Sequence, residues 1–255
     1  MKNSTTATNP RSRRNRKTLC LVITGTMNPP TLAHVRVADS CADFMARATG
    51  RNISIMFVPA CQPAIESAAA RKEGAVVFPE PMRADMLMPL IERNGMDAGV
   101  TNCEMGEETS SNIVEIIDAL TESDPSMDYM PVIGQNHIRK FAKLKGAGRI
   151  AADNGVLVAV KDAYRCRDGH GKKQATRETI ENDEILAPYS SRIYITDRTD
   201  LDEMPNSSSN ARKFIAAGDY DGTARECGYY VTKMIEAYKN SGEYEPVRDW
   251  YMSAQ

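Results

Sequence analysis

No run in this sequence approaches the ~20 apolar residues that a membrane-spanning helix needs, which reads as a soluble chain. The six cysteines, Cys20, Cys41, Cys61, Cys103, Cys166 and Cys227, include no CxxC pair. Neither zinc-ligand spacing nor a disulfide framework is therefore expected in 255 residues. The thiols read as small core residues in a reducing compartment. Histidine is scarce: His34, His137 and His170 are the three, and none sits in an HExxH pattern. A Walker loop is missing too, because Lys173 follows the Gly171–Lys172 pair where Ser or Thr is needed, and no GxGxxG occurs. One tryptophan, Trp250, stands near the end of the chain. No dedicated metal motif is present.

Net charge is also small, at -2, but it is unevenly spread. Residues 1–17 hold Lys2, Arg11, Arg13, Arg14, Arg16 and Lys17 and no acid. Removing those six from 32 basic residues leaves 26 against 34 acidic ones, so the tail carries +6 and the body -8. An acidic body excludes a general nucleic-acid fold, which shows its basic surplus in the domain itself. The tail lacks apolar periodicity and reads as disordered. A nuclear-import signal, a nucleic-acid arm, an Arg-rich transit peptide and a plain solvated extension all fit it. Location in the cytoplasm or nucleus is expected, with the mitochondrion as the alternative.

What is present is an alternation of strands and helices. Thr18–Thr24 and Ile53–Val58 are short apolar runs of the kind that form buried parallel strands. Between them Leu32, Val35, Ala38, Ala42 and Met45 recur at helical spacing and Gly50 ends the run. Further helices are expected at 81–93, 110–122, 208–217 and 223–239, and strands at 130–133, 156–160 and 192–196. A loop is expected through 59–79, and 161–190 reads as an insertion over the site. The pattern predicts an α/β domain with a Rossmann-like, doubly wound parallel sheet and C-terminal helices, spanning 18–240 with a tail at 241–255.

Ligands of such sheets bind beyond the carboxyl ends of the strands. The first such place is Gly25–His34, GTMNPPTLAH. Gly25 and Thr26 expose backbone N–H groups there, Pro29 and Pro30 stiffen the turn, and a helix N-terminus offers an anion site. Thr31 and His34, three apart, project from one face of that helix. A histidine so placed either caps the helix or stabilises charge on a transferring phosphate. The second place is PNSSSNARKF at 205–214, where serines cap a helix and Arg212 sits one turn inside. Two helix N-termini, each with one cationic or cationisable group, are suited to grip a polyphosphate from both sides.

Together GTMNPPTLAHVR and SSSNARK resemble the signatures of the nucleotidyltransferase superfamily with an (H/T)xxH motif and a later SSTxxR motif. The eukaryotic-type nicotinamide mononucleotide adenylyltransferase, whose first motif reads GSFNPxTxxHLR, is the closer match. Gly25, Asn28, Pro29, Thr31, His34 and Arg36 fall in that register, and Ser207, Ser208, Ser209 and Arg212 fall on the second. Pro59 and Arg83 stand near family-like positions. The resemblance spans residues 19 to about 240. It implies transfer of the adenylyl group of ATP to a pyridine mononucleotide, with release of pyrophosphate. Catalysis would then be positioning and charge neutralisation, with Mg²⁺ carried in on the ATP. By the same resemblance His34 and Arg212 are catalytic. Gly25, Thr26, Met27, Thr31, Ser208 and Ser209 join them around ATP, and Thr26, Met105, Gly134 and Asn136 line the mononucleotide site.

The sequence departs from the family at several of these points. Gly134–Gln135–Asn136 replaces Gly-Ala-Asp, which removes a carboxylate, and Met27 replaces a Phe. Met105 stands near an expected aromatic position, while a basic stretch expected after Pro59 reduces to Arg71 and Lys72. The acceptor is therefore open between nicotinamide and nicotinate mononucleotide or another phosphorylated compound, and an oligomer is allowed. A non-catalytic nucleotide-binding protein that kept the fold is the rival reading.

Overall fold

A computed structural model of the chain describes residues 17–69, 76–101, 112–160, 171–196 and 207–242. The first strand, β1 (Leu19–Gly25), leads through a tight turn into α1 (Leu32–Thr49), and β2 (Ile53–Pro59) returns beside β1 in parallel register, Leu19 opposite Ile53 and Gly25 opposite Pro59. Helices α2 (Gln62–Ala69) and α3 (Glu80–Arg93) precede a short edge strand, β3 (Ala98–Val100). The chain then crosses back through α4 (Ile113–Ser123) to β4 (Asp128–Gly134), which pairs with the other side of β1. Next come α5 (Ile138–Ala142), α6 (Ala147–Asp153), β5 (Val156–Ala159), α7 (Gly171–Glu181) and β6 (Ile193–Ile195). Three helices close the described chain: α8 (Ser208–Ala217), α9 (Tyr220–Cys227) and α10 (Tyr229–Ser241).

The six strands are all parallel, in the order β3-β2-β1-β4-β5-β6. This is the doubly wound α/β arrangement expected from the sequence. Strand order reverses between β1 and β4, and a crevice opens beyond their carboxyl ends at that reversal.

Both faces of the sheet are covered, which explains why its strands are continuously apolar rather than alternating. Leu19, Leu21 and Ile23 point one way, into a core shared with α1, α3, α8 and α10. Cys20 and Val22 point the other way, into a core shared with α4, α5 and α6. The period-2 geometry of a strand does the sorting. Cys20, Cys41, Cys61 and Cys227 are free, buried thiols, and burial pushes the Cys41 thiol up to about 12.

Several expectations need correction. The stretch 59–79 contains α2, started by the Glu80 carboxylate accepting the Gln62 N–H at 3.0 Å. Strand β3 lies outside the expected strands because it is three residues long with a glycine at its centre. Within 161–190, α7 and a 3-10 turn at Ala187–Arg192 pack beside β6, with Ile180 and Leu186 fully buried. They belong to the second core, and residues 161–170 lie outside those described.

The helix expected at 223–239 is two helices. Gly228 divides α9 from α10 with φ 81° and ψ 163°, a region only glycine enters easily. A Cβ there would meet Leu90 and Leu32 at ordinary distances of 3.5 and 3.7 Å, so the constraint is in the backbone. Gly228→Ala is expected to cost about 1–3 kcal/mol, seen as a lower urea midpoint with an unchanged m-value. An unmoved midpoint would contradict the backbone explanation.

Candidate active site

The turn between β1 and α1 is held from three directions. Met27 takes φ 44°, in the left-handed region that costs a non-glycine residue ~1–2 kcal/mol. Its side chain is fully buried in the first core. The Asn28–Pro29 peptide bond is cis. Asn28 uses both ends of its amide, donating to the Val76 carbonyl at 2.8 Å and accepting from the Phe78 N–H at 3.0 Å. Arg83, fully buried on α3, donates to the carbonyls of Thr26 (2.9 Å), Ala60 (2.7 Å) and Phe78 (3.1 Å). One guanidinium therefore ties together the end of β1, the end of β2 and the entry to α3.

The third tether is α8. Ser207 caps it by accepting the Asn210 N–H, and its own N–H is taken by the Glu226 carboxylate at 2.7 Å. The Ser208 hydroxyl donates to the Pro29 carbonyl at 2.8 Å. Arg212 donates to the Asn28 carbonyl at 2.5 Å and to the Ser209 hydroxyl at 3.3 Å. The two signatures, some 180 residues apart, are thus hydrogen-bonded to each other. Burial lowers the Arg212 pKa from the usual guanidinium value.

His34 sits at the third position of α1 and Thr31 is its N-cap. The Thr31 N–H donates to His34 Nδ1 at 3.0 Å, with the Thr31 hydroxyl 2.9 Å from the same nitrogen. This is a capping box with histidine in the place usually held by Glu or Gln. Because Nδ1 accepts a backbone N–H, the neutral ring carries its proton on Nε2. Thr31 is fully buried behind His34, so its hydroxyl orients the imidazole. The capping and catalytic readings of His34 are compatible, since different ring nitrogens serve them.

A pocket of about 560 Å³ opens beside this turn, within the range for small-molecule sites. Thr24, Gly25 and Thr26 line it where β1 ends, and His34 where α1 begins. Gly134, at the end of β4, forms part of the opposite wall. Apolar residues of α4 and α5, including Ile113, Ile116, Phe141 and Leu144, complete it. Asn136 is exposed on the 3-10 turn after β4 and does not line the pocket, whereas His137 does. Met105, Arg71 and Lys72 lie outside the described residues. Sequence reasoning missed the bracing role of Arg83 and the presence of His137 and Lys140 on the wall. The signal available for the latter two was their spacing of three in a helix following Gly134.

No protein-family model matches the chain, and no curated protein matches it in sequence. Among solved structures, the chain is similar to Plasmodium falciparum nicotinic acid mononucleotide adenylyltransferase complexed with NaAD. The identity is 16% and the TM-score 0.61, over 88% of this chain and 97% of that one. The same Plasmodium enzyme complexed with APC gives 15% identity and a TM-score of 0.61, over 88% and 96% of the two chains. At this level of identity the likeness is one of fold, and it extends over nearly the whole of both chains.

Proposed function

We propose that the protein transfers the adenylyl group of ATP to a pyridine mononucleotide, forming a dinucleotide and pyrophosphate. The observation that carries this reading is the mutual docking of two helix N-termini, through Ser208 to Pro29 and Arg212 to Asn28, beside a ligand-sized pocket. Helix N-termini favour anions, and here Ser208 and Arg212 of one helix bond the turn that leads into the other, whose third residue is His34. The solved structure of similar fold holds NaAD, a ligand fitting that of such an enzyme. The (T)xxH form of the first motif, Thr31 to His34, supports a likeness to the eukaryotic-type member of the superfamily.

In this reading the mononucleotide's 5′-phosphate oxygen attacks the α-phosphorus of ATP in line. The bond from that phosphorus to the bridging oxygen breaks, and pyrophosphate leaves. His34 donates from Nε2 to the phosphate undergoing transfer. Arg212 and the Ser209 hydroxyl neutralise charge growing on the leaving pyrophosphate, while Gly25–Met27 contact the phosphates through their backbone. The cradle is made of N–H, hydroxyl and guanidinium donors, which suit phosphate oxygens rather than a cation. Mg²⁺ would accordingly be held by ATP and water, and would add charge neutralisation on the phosphates. The basic tail at 1–17 takes no part and serves as an address or an attachment in the nucleus or cytoplasm.

Incubation with ATP, Mg²⁺ and a pyridine mononucleotide is expected to release pyrophosphate and dinucleotide in equal amounts. Pyrophosphate only with a different phosphorylated acceptor would change the substrate. None with any acceptor would leave a nucleotide-binding protein that does not catalyse.

A further inference from the structure

The pocket beside His34 has an unusual balance of charge in a protein whose body is acidic. Among the described residues lining it there is no Asp and no Glu. Besides His34, the described lining groups able to carry positive charge are His137 and Lys140. Both stand on the segment that follows β4, three residues apart and therefore on one face. His137 is close against Gly134, since a Cβ on that glycine would lie 3.5 Å from its ring. Lys140 stands one turn further along. Among the described residues neither side chain makes an ion pair or a hydrogen bond. The surrounding wall is apolar: Ile113, Ile116, Phe141 and Leu144 offer a pyridine ring contact area but nothing to bond its substituent.

Resting on the adenylyl-transfer reading, we propose that Lys140 and His137 make the site select a mononucleotide whose ring bears a carboxylate over one bearing a carboxamide. The chemistry follows from the donor set. A carboxylate accepts hydrogen bonds only, and an ammonium and an imidazole N–H both donate. A carboxamide brings two N–H donors of its own, which find no carboxylate among the described residues of this wall, and it lacks the charge that strengthens the bond to Lys140. The acceptor's phosphate is common to both compounds and is met at His34, Gly25 and Thr26. Only the ring substituent distinguishes them, so the preference has to arise on the wall away from that cradle, where α5 stands.

The test compares kcat/KM for nicotinate and nicotinamide mononucleotide in the full-length protein, in Lys140→Met and in Lys143→Met. Lys143 is exposed on the turn after α5 and does not line this pocket. The expected result is a preference for the acid that Lys140→Met reduces by ~10-fold or more through KM, the size of a lost charge-assisted hydrogen bond. The amide's kcat/KM should stay within about twofold, and Lys143→Met should leave the ratio unchanged. Equal loss with both compounds would place Lys140 on a phosphate and overturn the proposal. So would a wild-type preference for the amide, or a Lys143→Met effect equal to that of Lys140→Met. In those three cases adenylyl transfer itself still stands. Absence of turnover with either mononucleotide would overturn the reading and the selectivity together.

Discussion

Replacing His34 with alanine is expected to lower kcat by ~100-fold or more, the usual effect of removing one preorganised donor to a transition state. The structure complicates that experiment, because the same ring closes the capping box of α1 through Nδ1. Alanine removes both roles, and loss of a cap by itself costs about 0.5–2 kcal/mol. His34→Gln separates them. Glutamine is a natural third-position partner in a capping box, so it can accept the Thr31 N–H, yet it places no ring N–H at the pocket. Thermal melts are expected to show His34→Ala destabilised and His34→Gln near wild type, with kcat equally depressed in both. A fully active His34→Gln would show that His34 only caps the helix.

Arg83→Met should produce the largest loss of stability. It leaves the carbonyls of Thr26, Ala60 and Phe78 without their guanidinium donors, the last two in places where water has poor access. Each unsatisfied buried group costs about 1–3 kcal/mol, and these losses do not simply add. Methionine fills much of the volume and spares the cost of burying a charge, which trims the total. A net loss of about 2–4 kcal/mol is expected, a large share of the 5–15 kcal/mol that holds an ordinary domain together. Because the Thr26 carbonyl belongs to the rim of the pocket, KM for both substrates should rise as well. Denaturant melts and steady-state kinetics check the two effects. A stable Arg83→Met with normal KM would mean that Asn28 and α8 hold the turn without it.

The parts of this molecule that could be read beforehand are those written in local patterns. Apolar runs such as Leu19–Gly25 carry the signature of strands buried on both faces, and Thr31 and Ser207 mark two helix starts that the structure retains. The division at Gly228 is harder, because helical periodicity continues across it and only the backbone angle marks the break. Strand β3 is ordered by pairing to β2, from Ile55 opposite Ala98, and its own three residues say little.

The site shows the same division. Gly25, His34, Ser208 and Arg212 stand in recognisable motifs, but their meeting depends on hydrogen bonds between distant segments, Ser208 to Pro29 and Arg212 to Asn28. Arg83 stands near a family-like position, but nothing in the sequence around it marks it as a brace. Its importance lies in three carbonyls presented by three different segments, which no local pattern encodes. His137 and Lys140 gain theirs from where the fold puts them, on a wall whose described residues include no acid.

The central claim is that the chain breaks ATP between its α- and β-phosphorus and passes the adenylyl group to a mononucleotide. The most direct measurement follows ATP labelled at the α-phosphorus, with Mg²⁺ and nicotinate mononucleotide. Adenylyl transfer requires the label to appear in the dinucleotide and the released pyrophosphate to be unlabelled. Label remaining in ATP, or appearing as ADP or AMP with no dinucleotide formed, would contradict it.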